Sequence, residues 1–399
     1  MRKQLGILSV TVLVVAGFAS TTHASGRPSA LRVCSNGPFH TIQSAIDAAR
    51  PGDTVQICAG TYVEGNGAPG SNALTITKDL TLSGAGADQV RIEARHGAQL
   101  AESSPDIHSG KGVLIAVIGA NVDISGVTID ANGANATAGV VYVDGQGSIS
   151  RARVTGVDVD ESANGYTVPA GFRSSPFGFG IAHVGGSRAL TIDHTRVDHY
   201  NAAGVVVEGA GNTAVLTNDQ IAGRNLCQNY NDPTAGGPTV IDGDCQASGG
   251  STPIPPPLPL STGPLFGQDG VRVSDGAAVE MTGDTVSSNL VNGAGSPIQS
   301  VYAPTPNNDP YPLGDHSENN QNLRLAAGVR LVGAAASTIT RSNITDNAFG
   351  VLNTTTDGTT PNTATPVLAK DNWWGLRTGT VNLPTPGPVS YTHLTLPTN

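Results

Sequence analysis

The chain has 399 residues, a formal net charge of −10 and only 21 lysines and arginines. So few basic residues exclude the positive stripe that nucleic acids and anionic membrane surfaces require. Glycine is abundant, with 51 residues, while aromatic and charged residues make up only 4% and 13% of the chain. This composition is typical of a solenoid, in which small residues form tight corners and β-branched residues fill short strands.

The first residues have the pattern of a secretory signal peptide. Arg2 and Lys3 precede an apolar run from Leu5 to Phe18, and small residues then lead to Ala24. We predict that residues 1–24 are removed, because an anchoring helix that stays in the membrane requires a longer apolar run. The mature protein is therefore expected to be secreted or held in the cell envelope, as a monomer without a membrane span.

The four cysteines fit an oxidising compartment. Three pairings are formally possible, and the two local pairs join Cys34 to Cys58 and Cys227 to Cys245. The sequence contains no Cys-x-x-Cys motif and no Cys/His cluster that would indicate a metal site. We therefore interpret all four cysteines as disulfide partners.

A short amphipathic helix is predicted near the start of the mature chain. Thr41 is suited to the N-cap position, and Pro51-Gly52 ends the helix. The residues that fall on one apolar stripe are Ile42, Ala45, Ile46 and Ala49. We expect this helix to cover the apolar end of the first coil and its exposed strand edges.

The rest of the chain repeats short strands at intervals of roughly two dozen residues. Four segments align with one another: Leu190–Val197, Ala214–Ile221, Ala278–Val286 and Ser337–Ile344. The pattern predicts an all-β fold, a single-stranded right-handed parallel β-helix over residues 28–388. A β-sandwich is the alternative, although its strands need not repeat at fixed offsets. The asparagines predicted to stack as a ladder at one corner are Asn201, Asn225, Asn289 and Asn347.

Three segments depart from the repeat, at about residues 160–178, 226–268 and 290–326. Each leaves the coil at the same position, so we expect the insertions to stand side by side and to wall one face of the helix. For the Pro-rich part of the second insertion, disordered decoration is the alternative.

The end of the chain has an unusual sequence. Ten consecutive residues from Val389 match the translation of a transposon-end adapter used in DNA library preparation. We therefore expect residues 389–399 to be a sequencing artefact and the native chain to continue past Pro388. Amplification of the locus from source DNA tests this expectation.

Two motifs resemble the pectin-lyase-like superfamily of parallel β-helix proteins. The segment from Phe39 to Tyr62 is similar to its N-terminal cap and first coil, and Asp371–Gly375 is similar to an element near the end of the helix in exported bacterial members. The resemblance implies fold and export. It does not imply one activity, because the superfamily includes lyases, glycosidases, esterases, epimerases and proteins without known catalysis. The signature motifs of polygalacturonases, pectin esterases and mannuronan epimerases are absent, and Gln268-Asp269-Gly270 keeps only one of two expected carboxylates.

The densest polar run lies between Asp193 and Tyr200, just before the Asn201 corner. A β-elimination lyase needs a base and a cation that neutralises the substrate carboxylate. The predicted catalytic residues are Asp198, His199 and Arg224. The predicted substrate contacts are Asp193, Tyr200 and Asp269. The alternative is that these residues form a solvated polar face.

Asp219 and Asp284 occupy equivalent positions in adjacent coils, where they could share a calcium ion if further oxygen ligands were present. Calcium is the one cofactor that the sequence suggests.

Trp373 and Trp374 are of a type that stacks on sugar rings, but we expect them to pack over the end of the core.

Taken together, these features predict an exported protein that binds extracellular polysaccharide or cell-envelope glycan along the walled face. Whether it also cleaves the polymer is open; an enzyme of this kind would be a polysaccharide lyase or a glycoside hydrolase. The alternative is a non-enzymatic structural or adhesive protein of the envelope. A periplasmic maturation or sorting factor is a third, weaker possibility.

Overall fold

The computed structural model describes residues 29–102, 105–157, 178–223, 268–287, 289, 327–345, 347, 349–356 and 362–375. Within these ranges the chain winds into coils of three short strands, and each strand pairs in parallel with its counterparts in the adjacent coils. The prediction of a right-handed parallel β-helix is confirmed. The predicted signal peptide, the adapter-like tail, Arg224, Asn225, Cys227 and Cys245 lie outside the described residues.

Three sheets, here named A, B and C, run along the helix. Sheet A contains β1 (Ala30–Val33), β2 (Asp53–Ile57), β5 (Leu80–Gly84), β8 (Asn121–Ser125), β11 (Gln146–Ser150), β14 (Ala189–Asp193), β17 (Thr213–Thr217), β20 (Ala278–Thr282), β23 (Thr338–Thr340) and β26 (Leu368–Lys370). Sheet B contains β3 (Gly60–Glu64), β6 (Val90–Ala94), β9 (Thr128–Asp130), β12 (Arg153–Thr155), β15 (Arg196–Asp198), β18 (Gln220–Ala222), β21 (Thr285–Ser287), β24 (Asn343–Thr345) and β27 (Trp373–Gly375). Sheet C contains β4 (Leu74–Ile76), β7 (Val113–Ile118), β10 (Ala138–Val143), β13 (Phe179–Val184), β16 (Ala203–Glu208), β19 (Asp269–Ser274), β22 (Ala327–Val332) and β25 (Phe349–Thr354).

Sheets A and C differ in how their outer faces are covered. In sheet A the strands alternate in the expected way; in β17, for example, Ala214 and Leu216 are buried and Thr213 is exposed. In sheet C every residue of β13, β16, β19 and β22 is buried. Because successive side chains of a strand point to opposite faces, sheet C is covered on its outer face as well as on its core face.

The glycine at the second position of β10, β13, β16, β19 and β22 has a steric cause. A Cβ atom on Gly204 would lie 2.5 Å from Cγ2 of Ile221 and 2.8 Å from the carbonyl oxygen of Gly270. The close approach of the neighbouring coil therefore requires glycine at this position. This explains why the Gly-Val and Gly-Ile pairs recur along the sequence.

From β8 onward, the turn from sheet A to sheet B has two residues. In the later coils this turn carries a ladder of side chains that accept hydrogen bonds from the backbone. Its first residue is left-handed, as at Asn218 with φ 56°. The side chain of the second turn residue accepts a hydrogen bond from the backbone N–H of the equivalent residue one coil earlier. The four bonds run from Thr195 N to Asp219 Oδ1 (2.7 Å), from Asp219 N to Asp284 Oδ1 (2.8 Å), from Asp284 N to Ser342 Oγ (3.1 Å) and from Ser342 N to Asn372 Oδ1 (2.9 Å). These buried bonds hold consecutive coils in register.

The asparagine ladder at the other corner is shorter than predicted. Nδ2 of Asn289 donates to Oδ1 of Asn347 at 2.8 Å, so this pair stacks as expected. However, Asn289 and Asn347 lie three positions after the buried strand residues Val286 and Ile344. Asn201 lies four positions after the equivalent residue, Val197. Their register partner in the earlier coil is Tyr200, whose hydroxyl donates to Oδ1 of Asn289 at 2.6 Å. The prediction that Asn201 joins the same ladder is therefore wrong.

The N-terminal cap is built as the sequence predicts. Helix α1 (Ile42–Ala48) begins after Thr41, whose Oγ1 accepts from the backbone N–H of Ser44 at 3.2 Å. Buried Glu64 accepts from the backbone N–H of Ile42 at 2.6 Å, which satisfies another of the first-turn donors. A disulfide joins Cys34 to Cys58 at the ends of β1 and β2, which confirms the first predicted pair.

The side chain of Gln43 closes the edge of sheet C. Its Oε1 accepts from the backbone N–H of Thr75 at 2.8 Å, and its Nε2 donates to the carbonyl oxygen of Thr75 at 3.1 Å. The amide thus takes the place of a neighbouring strand beside β4, which is the first strand of sheet C. Covering an edge in this way protects it against pairing with another chain.

Replacing Gln43 with alanine is expected to lower the free energy of unfolding by about 1–3 kcal/mol, because two backbone groups of Thr75 lose their partner. Chemical denaturation of the two proteins measures the difference. Gln56→Ala removes an exposed glutamine from sheet A and serves as the control. Equal losses in the two variants would show that the edge contact contributes nothing.

Candidate functional site

The three insertions leave and re-enter the helix at one corner. They follow β12, β18 and β21 of sheet B, and they precede β13, β19 and β22 of sheet C. The segment between β6 and β7 also crosses this corner. Sheet C is therefore the face that the three insertions and the β6–β7 segment all enter, and long connections of this kind often form the binding sites of repeat proteins.

The outer face of sheet C changes character along the helix axis. Its N-terminal part is an apolar cluster that includes Ala116, Val141, Phe179, Ala182 and Val206, all at most 5% exposed. The next two strands, β19 and β22, place charged and polar residues in the same rows. The outward residues of these strands include Asp269, Arg272, Ser274 and Arg330.

Asp269, Arg272 and Arg330 form a buried charge cluster, which we name the arginine site. Nε of Arg272 donates to Oδ2 of Asp269 at 2.9 Å, and Nη1 of Arg330 lies 3.6 Å from the same oxygen. Oδ1 of Asp269 accepts from the backbone N–H of Ala327 at 3.2 Å. Arg272 also lies over the ring of Phe179, 6.0 Å from its centroid. Among the described residues, two guanidinium groups thus face one carboxylate.

Arg330 is the least satisfied member of this cluster. Its side chain is fully buried, yet Nε, Nη1 and Nη2 have no hydrogen-bond partner among the described residues. The hydroxyl of Ser274 on the adjacent strand is also buried without a partner in the described part of the chain. A buried guanidinium normally binds acceptors, because its desolvation costs several kcal/mol. A planar anion with two oxygen atoms, such as a carboxylate, matches its donor geometry.

A second polar pair lies on the same face. Nε2 of His108 is 2.9 Å from Oε1 of Glu208, and the carboxylate is almost buried at the end of β16. His108 comes from a 3₁₀ turn (Ile107–Ser109) in the segment that precedes β7. We name residues 105–112 the strap.

Two of the three predicted catalytic residues, Asp198 and His199, lie at the C-terminal end of β15 in sheet B and do not join the arginine site. The Asp198 carboxylate contacts Arg153 at 3.1 Å, His199 at 3.1 Å and also Arg196. Burial by itself would raise the pKa of Asp198, but hydrogen bonds from His199 and Thr155 and the charge of Arg153 hold it well below its ordinary value. An ionised carboxylate with all its acceptor sites occupied is poorly suited to act as a base.

The remaining predicted site residues are scattered. Arg224 is outside the described residues, and Asp193 pairs with His194 on the open surface of sheet A. Tyr200 is fully buried and contributes its hydroxyl to the Asn289 ladder, which does not fit the predicted substrate contact. Of the predicted site residues that the structure describes, Asp269 alone lies at the arginine site.

Asp219 and Asp284 are neighbours in adjacent coils, as predicted, but both are at most 1% exposed. Burial raises the pKa of Asp219 to about 8, with a further contribution from the Asp284 carboxylate, although the N–H of Thr195 opposes the shift. Burial likewise raises the pKa of Asp284 to about 6. Their oxygens accept backbone N–H groups, which does not favour calcium, and the described residues contain no cluster of three His, Cys, Asp or Glu side chains suited to a metal.

Trp373 departs from the prediction. It lies on the outer face of sheet B with 67% of its surface exposed, so it does not pack over the core. Trp374 pairs in register with Ile344, and its side chain is outside the described part of the structure.

Two residues of the arginine site could have been found by aligning the repeats more closely. Gly270-Val-Arg272 and Gly328-Val-Arg330 place an arginine at the same position of consecutive coils. The earlier coils carry Ala182 and Val206 there. The contact of Arg272 with Phe179 and the pairing of His108 with Glu208 had no such sequence signal.

No protein-family model and no curated protein sequence matches the chain. Among solved structures, it is similar to the pectin methylesterase PemA from Erwinia chrysanthemi, with TM-score 0.43 and 11% identity over 87% of this chain and 89% of that one. It is also similar to pectate lyase Pel9A, with TM-score 0.41 and 11% identity over 87% of this chain and 77% of that one. A further match is the A-module of the mannuronan C-5 epimerase AlgE4 from Azotobacter vinelandii, with TM-score 0.36 and 14% identity over 84% of this chain and 92% of that one. Such low similarity carries no argument about activity.

The described residues contain no helix that is long and apolar enough to cross a membrane.

Proposed function

We propose that this protein binds an acidic polysaccharide outside the cytoplasm, on the outer face of sheet C, and that Arg330 and Arg272 hold a carboxylate group of the sugar chain. The observation that supports this proposal most directly is the buried guanidinium of Arg330, which has no hydrogen-bond partner in the described residues. A ligand carboxylate would supply the missing acceptors of this guanidinium.

The charge of the whole protein makes a local recognition site necessary. A chain with a net charge of −10 repels a polyanion at long range. Binding of an acidic polymer therefore depends on a few specific contacts from buried arginines. We expect the interaction to depend only modestly on salt, because buried pairs are screened less than surface pairs.

Binding without catalysis and binding with cleavage both fit this site. His108, held by Glu208 on the same face, has a carboxylate partner of the kind that orients a histidine for proton transfer. Removal of the proton from the carbon that bears the carboxylate, with departure of the glycosidic oxygen from the neighbouring carbon, would form a double bond between the two carbons and leave an unsaturated product on one side and a new free sugar end on the other. We therefore include product formation in the test of function.

The test uses the full mature chain with pectic, alginate and neutral polysaccharides. We expect the acidic polymers to bind and the neutral ones to bind at least tenfold more weakly, since one charged contact contributes roughly 1.5–3 kcal/mol. Titration calorimetry measures binding, while absorbance of unsaturated products and new reducing ends measure cleavage.

The matched variants are Arg272→Gln at the site and Arg341→Gln at an exposed turn between sheets A and B. Arg272→Gln should weaken acidic binding, and Arg341→Gln should leave it unchanged. Equal affinity for acidic and neutral polymers, or equal behaviour of both variants, would contradict the proposal. Binding without products would favour the non-enzymatic envelope protein.

A further inference from the structure

The strap is held on sheet C by packing and by local hydrogen bonds. Asp106 begins the 3₁₀ turn by accepting from the backbone N–H of His108 at 2.9 Å. Ile107 is 9% exposed and joins the apolar cluster of the outer face. Gly110 has a φ of 63°, and a Cβ there would lie 3.2 Å from Cγ2 of Val143, so the strap approaches the sheet as closely as glycine allows.

The strap also extends a long way along the helix axis. It precedes β7 in the chain but packs on β10 and β13. Its His108 then reaches Glu208 on β16, which is the third strand after β7 in sheet C and 100 residues further along the chain. At about 4.8 Å between strands, this distance is roughly 14 Å. The His108–Glu208 pair thus fixes the far end of the strap.

The pair lies at the boundary between the apolar and the charged parts of the outer face. Val206, two residues before Glu208, pairs in register with Arg272 of the arginine site. The strap therefore covers the apolar part and ends one strand short of the charges. A sugar chain that runs along the helix axis would meet the strap directly after the arginine site.

We infer that the strap closes the N-terminal end of the binding face, so that the protein binds the terminus of an acidic polysaccharide and not its interior. This inference rests on the proposed function. Its new element is that one end of the sugar chain abuts the strap at the His108–Glu208 pair. The free end of the polymer is then the feature that the protein recognises.

The experiment uses acidic oligosaccharides that carry a bulky fluorophore on either the reducing or the nonreducing end. For the wild-type protein we expect one of the two labels to lower the affinity at least about tenfold and the other to have little effect. In a double variant, Ile107→Ser with Glu208→Gln, the two labelled forms should bind with affinities within about twofold of each other.

Hydrogen exchange of the strap amides gives a second measurement that does not depend on ligand. The double variant should exchange these amides about tenfold faster or more, because it loses the apolar contact of Ile107 and weakens the His108–Glu208 contact. Glu280→Gln, an exposed glutamate on sheet A, is the control. Unchanged exchange in the double variant would overturn the role of the pair.

Two outcomes separate the inference from the proposal beneath it. If the wild type binds the unlabelled oligosaccharide and tolerates both labels equally, the closed end is overturned and the proposed function stands. If the unlabelled oligosaccharide does not bind at all, both are overturned.

Discussion

Replacing Arg330 with leucine is expected to make the protein more stable and to abolish its binding of acidic polysaccharide. The guanidinium is fully buried, lies 3.6 Å from Asp269, and has no hydrogen-bond partner in the described residues. Replacing such a charge by a hydrophobic side chain removes its desolvation penalty, which amounts to several kcal/mol when no acceptor offsets it. Leu352 pairs in register with Arg330 one coil later, so a leucine is compatible with this row of the sheet.

The loss of Arg330 leaves Asp269 paired. Its carboxylate keeps the contact with Arg272 at 2.9 Å and with the backbone N–H of Ala327. Binding should fall about a hundredfold or more, since a charge-assisted bidentate contact contributes on the order of 3 kcal/mol. A gain in stability together with a loss of binding is the signature of a residue retained for function.

Chemical denaturation and titration calorimetry measure the two effects on one preparation. Arg341→Leu, at an exposed turn, should change stability by less than about 0.5 kcal/mol and leave binding intact. If Arg330→Leu destabilises the fold and the folded fraction still binds, Arg330 has a structural role and the proposed site is wrong.

The second large effect concerns pH. Between about pH 4 and pH 8 the free energy of unfolding is expected to fall as pH rises, by an amount on the order of a few kcal/mol. Burial raises the pKa of Asp219 to about 8 and that of Asp284 to about 6 from the ordinary value of 3.8. The folded protein therefore holds more protons than the unfolded chain in this range. The stabilisation is complete below the unfolded pKa and is lost as pH rises through the folded values.

Asp219→Asn should reduce this slope and raise stability near pH 8. The amide keeps an oxygen that can accept from the N–H of Thr195, and Asn372 already plays this part in the same ladder. Denaturant titrations at a series of pH values measure the slope. Asp371→Asn is the control, since this exposed residue lies in the equivalent turn with φ 57°, where asparagine is tolerated.

The titration of His183 changes the free energy of unfolding in the opposite direction, so its contribution must be separated from that of the two aspartates. Its side chain is buried in the core, and burial lowers its pKa, although the contact with the carbonyl oxygen of Gly145 opposes the shift. Its contribution to stability is present above the unfolded pKa and is lost as pH falls. The contribution of His183 cancels in the difference between the unfolding free energies of the wild type and Asp219→Asn, because both proteins contain His183. A difference that stays constant with pH would show that Asp219 is ionised in the folded protein.

Much of the fold could be predicted because it depends on local patterns. The apolar stripe of α1, its Thr41 cap and the alternation along the strands require only the periods of a helix and a strand. The equal spacing of repeats then implies parallel pairing, and short coils bring Cys34 and Cys58 together. For the same reason, Asp219 and Asp284 could be placed side by side from sequence.

The site itself depends on contacts that no local pattern contains. Arg330 meets Asp269 across an insertion, and His108 meets Glu208 from 100 residues away. Such pairs are determined by which coils lie next to each other and by where the connecting segments lie. Sequence patterns could therefore place the site beside the insertions and, with the repeats aligned, pair Arg272 with Arg330, but they could not show which acidic residues Arg330 and His108 meet.

The positions of single side chains also required the tertiary structure. Tyr200 was predicted to contact substrate and lies in the core, and Asn201 was aligned with Asn289 although Tyr200 occupies that place. At a corner, a shift of one residue changes which side chain points inward, and sequence repeats do not determine corners to that precision. The sequence by itself determined the coils, the cap and the inward rows, because these follow from periodicity. Only the packing of coils against one another decided which polar residues are buried in ladders and which meet at the arginine site.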